Sequence, residues 1–437
     1  MFGALHEKFK RYVQQKMEGY VASYFQAHPE IKLIVVAGSV GKTSTKSALA
    51  TMLGQKYRVR LHEGNHNTHM SAPLAILGIP YPEHLKSIGA WREVFRQAEV
   101  RIAQAADVDV IIQEIGADHP GEIAHFGTYL RPDIAIITAI TPEHMEFFKS
   151  MDAVAREELA AANFSDQAII NRDDIDGQYA TYLTNSNVTT YGTSDMAEYH
   201  FTSQSFSVHD GHRGQFTAPE LAGQPITATV NVLGEHNIRP AVAAATAGIK
   251  LGLTPAEISH GLTQIRPIPG RMSLLEGIRD SMIIDDTYNS SPVAAHSAVD
   301  TLYSLEAPQR IVILGTMNEL GDASEVEHQK IGRMFRPDLV DWVVTVGDEA
   351  EKYLAAAARS QGCQVKSFTN PIQAGGFVRG VLEEKGLVLI KGSQDRGYLE
   401  EAVKILLRNP DQSAMLVRQS PAWLAHKEQY FHEVMVQ

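Results

Sequence analysis

The chain has 437 residues, 44% hydrophobic and 21% charged, with a formal net charge of -12 at pH 7 and a single cysteine. That length exceeds one ordinary domain and sets two or three as the expectation, while the acidic balance argues against a nucleic-acid partner, whose phosphates need a basic face. One cysteine, Cys363, excludes a disulfide framework and any four-cysteine zinc site and fits a reducing cytoplasm; no apolar run reaches the eighteen or so residues that span a bilayer, and the first residues carry no signal-peptide core.

In chain order, residues 1–30 place Phe9, Tyr12, Val13, Met17, Tyr20 and Val21 at steps of three and four, the pattern of an amphipathic helix. Its polar face mixes Lys, Arg, Glu and Gln, which predicts a packing helix rather than a membrane anchor. Next, Leu33-Ile-Val-Val-Ala-Gly-Ser-Val-Gly-Lys-Thr-Ser44 reads as a buried strand, a phosphate loop and a helix start, with the helix over Ser44–Leu53. Exposed N–H groups between Gly38 and Gly41 (Gly38, Ser39, Val40, Gly41) can cradle phosphate oxygens. Lys42 supplies a positive charge near the β- and γ-phosphates, and Thr43, followed by Ser44, offers a hydroxyl to Mg²⁺; ATP is the expected ligand. Val36 stands where the strict phosphate-loop pattern has its first glycine.

The polar segment Glu63-Gly-Asn-His-Asn-Thr-His69 then holds Asn65, His66, Asn67 and His69, a set that suits a metal, a polar substrate or a solvated loop. Val108-Asp-Val-Ile-Ile-Gln-Glu-Ile-Gly116 predicts a second strand with Glu114 at its carboxyl end, where open α/β sheets bind ligands. Ile134-Ala-Ile-Ile-Thr138 predicts a third, followed by His144 and Glu146. A helix from Met151 carries Val154 and Glu158 one turn apart, and Gln167-Ala-Ile-Ile170 leads into Asn171-Arg-Asp-Asp174. This alternation predicts a doubly wound, mostly parallel sheet. Short alternating stretches over 185–232 predict a small β-rich elaboration, and an alanine-rich helix over Ile238–Leu251 closes the domain. Ile265-Arg-Pro-Ile-Pro-Gly-Arg271 is the linker candidate. Strand-like runs at 281–284, 311–314, 342–346 and 387–390 predict a smaller, Rossmann-like α/β domain after it.

The motifs Ala37–Ser44, Gly64–Asn67, Glu114–Ile123, His144, Asn171–Asp174, Gly234-Glu-His-Asn237, Gly270-Arg271, Asp285–Pro292, Leu314–Gly321 and Lys391-Gly-Ser393 occur in one order over residues 32–408. Together they resemble the Mur ligase superfamily of ATP-dependent amide-bond-forming enzymes, and within it the branch that adds D-alanyl-D-alanine in cell-wall precursor synthesis. The resemblance implies a P-loop central domain over 31–268 after the helix of 1–30, and a C-terminal domain over 269–437. It also implies a reaction through an acyl phosphate with ATP and Mg²⁺. By resemblance, Thr43 and Glu114 hold one Mg²⁺ and His144 helps hold a second. Lys42 and Arg271 steady the transferred phosphoryl group, and His236, Asn237, Asp285 and Tyr288 contact the nucleotide. Asn65 and Asn67 then become substrate-loop residues.

Two departures accompany the resemblance. Many relatives carry a carbamylated lysine where this chain has Glu158. Its carboxylate either replaces that charge at the second metal, with Lys42, His144 and Arg271 completing the catalytic set, or is a solvated helix residue; Glu146 and Glu157 are then the next metal candidates. Peptidoglycan ligases also carry a UDP-sugar-gripping domain ahead of the phosphate loop, and only residues 1–30 precede the first strand here. The expected substrate is a small molecule or peptide, a UDP-muramoyl peptide or another carboxylate such as a polyamino acid or natural-product intermediate, with a partner protein as one way to supply the missing grip. A catalytically silent ATP-binding module is the alternative from another class.

Overall fold

The computed structural model describes residues 2–62, 66–82, 84–85, 87–394 and 397–436, and the side chains of 7–432 within them. The chain divides into two units: 1–141, 147–231 and 237–266 form the first, and 142–146, 232–236 and 267–437 the second.

The first unit opens with helix α1 (Phe2–Ala27). Val13, Met17, Val21 and Tyr24 form its buried stripe, while Tyr12 on the flank is exposed. The stripe packs on α3 (Ala72–Leu77) and α4 (Ile88–Ala103). Lys16 reaches over the Phe95 ring at 4.7 Å, and the Tyr20 hydroxyl donates to Glu99 at 2.7 Å. The predicted packing role of this helix is therefore what the structure shows.

Strands β1 (Lys32–Ala37), β2 (Val59–Leu61), β3 (Val110–Glu114), β4 (Ile134–Ile137), β5 (Gln167–Asn171), β6 (Val188–Gly192), β7 (Tyr199–Ser207), β8 (Gly211–Thr217) and β9 (Ile226–Val230) build one sheet among the described residues, ordered β2-β3-β1-β4-β5-β6-β7-β8-β9. Pairing is parallel from β2 to β7 and antiparallel from β7 to β9. The β-rich stretch expected over 185–232 thus extends the main sheet. The strand order reverses at β1, with β3 on one side and β4 on the other, and such a reversal opens a crevice at the strands' carboxyl ends. Helix α2 (Lys42–Leu53) starts there, two residues earlier than the sequence pattern suggested, because Gly41 supplies the left-handed turn (φ 88°) directly before Lys42. The remaining helices of the first unit are α5 (Glu122–Phe126), α6 (Met145–Phe148, whose first residues group with the second unit), α7 (Met151–Asn163), α8 (Arg239–Lys250) and α9 (Pro255–Gln264). The alanines and Gly248 of α8 let it approach α2 closely: a Cβ at Gly248 would stand 3.3 Å from Met52 of α2.

The second unit holds β10 (Ser273–Glu276), β11 (Met282–Asp286), β12 (Arg310–Gly315), β13 (Trp342–Val346), β14 (Val365–Phe368) and β15 (Leu387–Lys391), ordered β10-β11-β15-β12-β13-β14 among the described residues. Only β10 runs antiparallel to its neighbour. Helices α10 (Pro292–Ser304), α11 (Ser324–Arg333), α12 (Ala356–Ser360), α13 (Pro371–Val381), α14 (Glu400–Leu406) and α15 (Pro421–Val436) complete it. Ile283, Ile313, Val344, Val388, Val378 and Val403 belong to its central apolar cluster, and the buried strands read as continuous apolar runs because a parallel sheet is covered on both faces. The mixed α/β class and the two-sheet layout agree with the sequence. Short β10 and β14 were missed, since Ser273–Glu276 and Val365–Phe368 are half-exposed and carry no continuous apolar run such as the one that marks the equally short β4. No helix among the described residues is long and apolar enough to cross a membrane.

Candidate active site

The phosphate loop is braced from below by the residues after β4. Gly38 has φ 124°, and a Cβ there would stand 2.2 Å from Thr138 Oγ1 and 2.8 Å from the Ala139 backbone nitrogen, so only glycine fits. Thr138 Oγ1 donates to Val40 O at 2.6 Å, Ser39 N donates to Ala139 O at 2.9 Å, and Ser39 Oγ accepts from Thr141 N at 3.0 Å. Behind Thr138, Asn171 Nδ2 donates to its carbonyl at 2.7 Å and to Asp174 Oδ2 at 2.7 Å. Arg239, at the start of α8, closes the chain onto Asp173 and Asp174 at 3.1 and 2.9 Å. Burial raises Asp174; at Asp173 the same burial is outweighed by hydrogen bonds from Thr193 and by Arg239, leaving its pKa low. The Asn171–Asp174 motif is therefore a strap that sets the loop's position.

On the open side, Lys42 Nζ donates to Gly38 O, and Thr43 and Ser44 stand half-buried in the first turn of α2. One helical turn on, Lys46 Nζ lies 3.2 Å from Glu114 Oε2, with both side chains buried. That is ion-pair distance without hydrogen-bond geometry, so Glu114 Oε2 is a buried carboxylate oxygen with no hydrogen-bond partner among the described residues. Glu158, only 4% exposed, accepts the Gly38 N–H at 2.6 Å. This excludes the solvated-helix reading of Glu158. Its neighbour Glu157 accepts from Gly121 N at 2.7 Å and Ile123 N at 2.6 Å, capping α5, which commits that carboxylate to the fold.

The segment before α3 docks against the end of β3. Gln113 Nε2 donates to His66 O at 2.7 Å, and Gly116 N donates to Asn67 O at 3.3 Å. A Cβ at Gly116 would meet Asn67 Nδ2 at 2.9 Å and Lys42 Cε at 3.8 Å. Asn67 therefore stands beside the phosphate-loop lysine. Asn65 lies outside the described residues. Burial, then the charges of His62 and Lys46, push the His66 pKa down to about 4, so His66 is neutral at physiological pH.

The second unit gathers its own set at the carboxyl ends of β11 and β15. Arg271 stacks over Tyr288, 4.3 Å from the ring centroid, and its Nε is buried with no hydrogen-bond partner among the described residues. Tyr288 N donates to Gly270 O at 3.0 Å, fixing the turn that presents Arg271. Asp285 Oδ1 accepts from the Thr287 hydroxyl at 2.6 Å while Oδ2 is unpartnered among the described residues, and burial pushes its pKa up to about 6. Lys391 Nζ pairs with Asp286 at 2.7 Å in full burial. Arg418 clamps the turn from below, donating to Thr287 O and Tyr288 O and pairing with buried Glu400. His144, with φ 47°, also groups with this unit, its Nδ1 3.1 Å from Glu319 Oε2, while Glu146 is likewise a residue of the second unit. His236 sits against Gly234 in the second unit, whereas Asn237, the next residue, groups with the first.

Sequence reasoning missed Lys46, Gln113, Arg239, Lys391 as an ion-pair partner, Arg418 and Glu400. Two of these had a signal. Lys46 falls on the apolar face of α2 with Leu49 and Met52, and Lys391 ends a run of four apolar strand residues; a buried cation requires a counter-charge.

Residues 36–248 match the family model of the Mur ligase middle domain, and residues 270–394 match that of the Mur ligase, glutamate ligase domain. The UDP-N-acetylmuramoyl-tripeptide--D-alanyl-D-alanine ligase of Bacillus subtilis (strain 168) is 30% identical over 385 residues, covering 87% of this chain and 76% of the relative. The chain belongs to the Mur ligase family. This Mur ligase is also 26% identical over 400 residues to the enzyme of the same name from Escherichia coli (strain K12), covering 90% and 80%. Its fold is similar to that of MurF from Acinetobacter baumannii (TM-score 0.74, 22% identity, 89% and 79% covered). It is similar also to the Thermotoga maritima MurF ligase in complex with ADP (TM-score 0.71, 20% identity, 90% and 83% covered). The family's activity, ATP-dependent and ADP-forming peptide ligation, is that of this chain. The resemblance drawn from the motifs is thereby borne out.

Proposed function

We propose that this Mur ligase joins D-alanyl-D-alanine, or a closely similar dipeptide or amino acid, to the terminal carboxylate of a UDP-muramoyl tripeptide in peptidoglycan precursor synthesis. The support is the shared name of the Bacillus and Escherichia relatives over most of the chain, together with Asn67 held beside Lys42. We further propose catalytic domains over 31–268 and 269–437.

The reaction has two steps. The tripeptide carboxylate takes the γ-phosphoryl group of ATP, giving an acyl phosphate and ADP; the dipeptide amine then attacks the acyl carbon and phosphate leaves. Lys42 and the N–H groups of the loop from Gly38 to Ser44 hold phosphate oxygens and offset the charge that grows on them. Arg271, stacked on Tyr288 with its Nε buried and without a hydrogen-bond partner among the described residues, is aimed to hold a further phosphate oxygen. Asp285, Tyr288, His236 and Asn237 are proposed at the nucleotide, and Asn65 and Asn67 at the peptide. The buried carboxylate of Glu114, whose Oε2 is ion-paired with Lys46 but accepts no hydrogen bond among the described residues, fits Mg²⁺, which Glu114 and Thr43 would hold, with His144 and Glu158 proposed at a second ion. Mg²⁺ when bound neutralises phosphate charge and polarises the P–O bond. Glu158, held by the Gly38 amide, supplies the anionic charge that a lysine carbamate gives other members of the family.

The test is ADP release and product mass with UDP-muramoyl tripeptide against a panel of amino acids and dipeptides. A product larger by one D-alanyl-D-alanine residue pair supports the proposal, and ADP release that no dipeptide or amino acid stimulates contradicts it.

A further inference from the structure

Three elements of the first unit bring one metal-ligating side chain each to a common point. Glu18 comes from α1, His69 from the segment that precedes α3, and His125 from α5. One ligand atom of each lies within 4.8 Å of the others. His125 Nε2 is 2.8 Å from Glu18 Oε1, and the rings of His69 and His125 stand 4.6 Å apart. Glu18 is 8% exposed in the middle of a helix whose neighbouring face is apolar, an expensive place for a carboxylate unless a cation or donors compensate it.

Two further observations point to a ligand at this cluster. His69 Nδ1 is buried with no hydrogen-bond partner among the described residues. So is the Tyr129 hydroxyl, whose ring centroid is 6.2 Å from that of His125. Burial and the neighbouring His125 keep His69 below its ordinary pKa, which favours the neutral imidazole that binds metals. Gln14 Nε2 donates to Glu18 Oε1 at 2.8 Å and orients the carboxylate, the usual support behind a metal ligand.

We infer that Glu18, His69 and His125 form a binding site for a divalent transition-metal ion of the zinc class. Two imidazoles and a carboxylate suit Zn²⁺ and its neighbours and are a poor match for Mg²⁺, which prefers oxygen ligands. The ion closes on ligand atoms already gathered and replaces the proton between His125 and Glu18. It ties α1 to the segment 66–71, and so stiffens the stretch that places Asn67 against Gly116 beside Lys42. The site is separate from the Mg²⁺ positions proposed at Thr43 and Glu114, and it stands whether or not the substrate proposal holds.

The experiment uses the full chain, stripped with a chelator and returned to buffer with excess Mg²⁺, and titrated with Co²⁺ and then Zn²⁺. The expected result is one Co²⁺ per chain with the visible bands of a four- or five-coordinate nitrogen and oxygen site, displaced by Zn²⁺ with a rise in melting temperature. Glu18→Gln and His125→Gln should each weaken binding by at least about tenfold, while His296→Gln, on an exposed face of the second unit, leaves it unchanged. Zinc-edge X-ray absorption on the unmutated chain should show two imidazoles and no sulfur, a readout that does not depend on how well a variant folds. Absence of stoichiometric binding, binding that survives both variants, or a zinc shell with one or no imidazole overturns the inference.

Discussion

Lys46 and Glu158 are the side chains that change most in meaning once the phosphate loop is seen in three dimensions. Lys46 neutralises Glu114 within the fold, and Glu158 is pinned by the Gly38 amide. Lys42→Ala or Glu114→Ala should cut ADP release by two or more orders of magnitude with an unchanged circular dichroism spectrum, since each removes a charge aimed at phosphate or metal. Retention of more than about a tenth of the activity would contradict those roles. Glu158→Gln keeps an oxygen for the Gly38 N–H and removes only the charge. Turnover at saturating Mg²⁺ should fall by about two orders of magnitude, and the unmutated enzyme should be indifferent to added bicarbonate. Asp285 gives a pH signature. Its native carboxyl holds a proton up to about pH 6, while an unfolded aspartate releases it near 3.8, so this residue costs stability as pH rises between those values. Asp285→Asn cannot ionise. Its stability relative to the unmutated chain should grow by roughly 2 kcal/mol from pH 4 to pH 7 in urea titrations, and a flat difference would contradict the assignment.

At the scale of elements, the phosphate loop depends on a strap that runs from α8 through Asp173, Asp174 and Asn171 to Thr138. Arg239→Ala strips both aspartates of their half-buried cation and leaves the buried Asp173 carboxylate without its counter-charge. Unfolding should become easier by about 1–2 kcal/mol, and the KM for ATP should rise because Thr138 no longer fixes Val40. An unchanged midpoint would show that the strap carries no load. The second unit has an analogous clamp, in which Arg418 and Glu400 hold the carbonyls of Thr287 and Tyr288 and so the platform on which Arg271 stacks. Arg271→Ala should lower kcat far more than it weakens ATP binding, read by comparing turnover with equilibrium titration of nucleotide; equal losses in both would place Arg271 in ground-state binding instead.

Across the whole molecule, what the sequence made legible follows the physics of each signal. β1, β3 and β4 carry buried apolar runs that lead into Gly38, Gln113-Glu114 and Thr138, so both the sheet and the crevice at its carboxyl ends could be read from residues alone. The extension of that sheet through β7, β8 and β9 could not, because short alternating strands look the same whether they join an existing edge or form a sheet of their own. Motif residues such as Lys42, Glu114 and Arg271 stood out by type and spacing. Their supports did not: Arg239 meets Asp173 and Asp174 across about 65 residues and Arg418 meets Tyr288 across 130, separations that no local pattern encodes. Only the resemblance separated the adjacent acids Glu157 and Glu158 in sequence; the backbone amides they accept give them different places, Glu157 at the start of α5 and Glu158 at Gly38.

The central claim is that this Mur ligase activates a peptide carboxylate as an acyl phosphate. It is tested most directly with UDP-muramoyl tripeptide carrying ¹⁸O in its terminal carboxylate, incubated with ATP and D-alanyl-D-alanine, by mass analysis of the phosphate released. The account predicts ADP as the nucleotide product and one ¹⁸O carried from the carboxylate into phosphate for each peptide bond formed. Unlabelled phosphate, or AMP and pyrophosphate in place of ADP and phosphate, would contradict it.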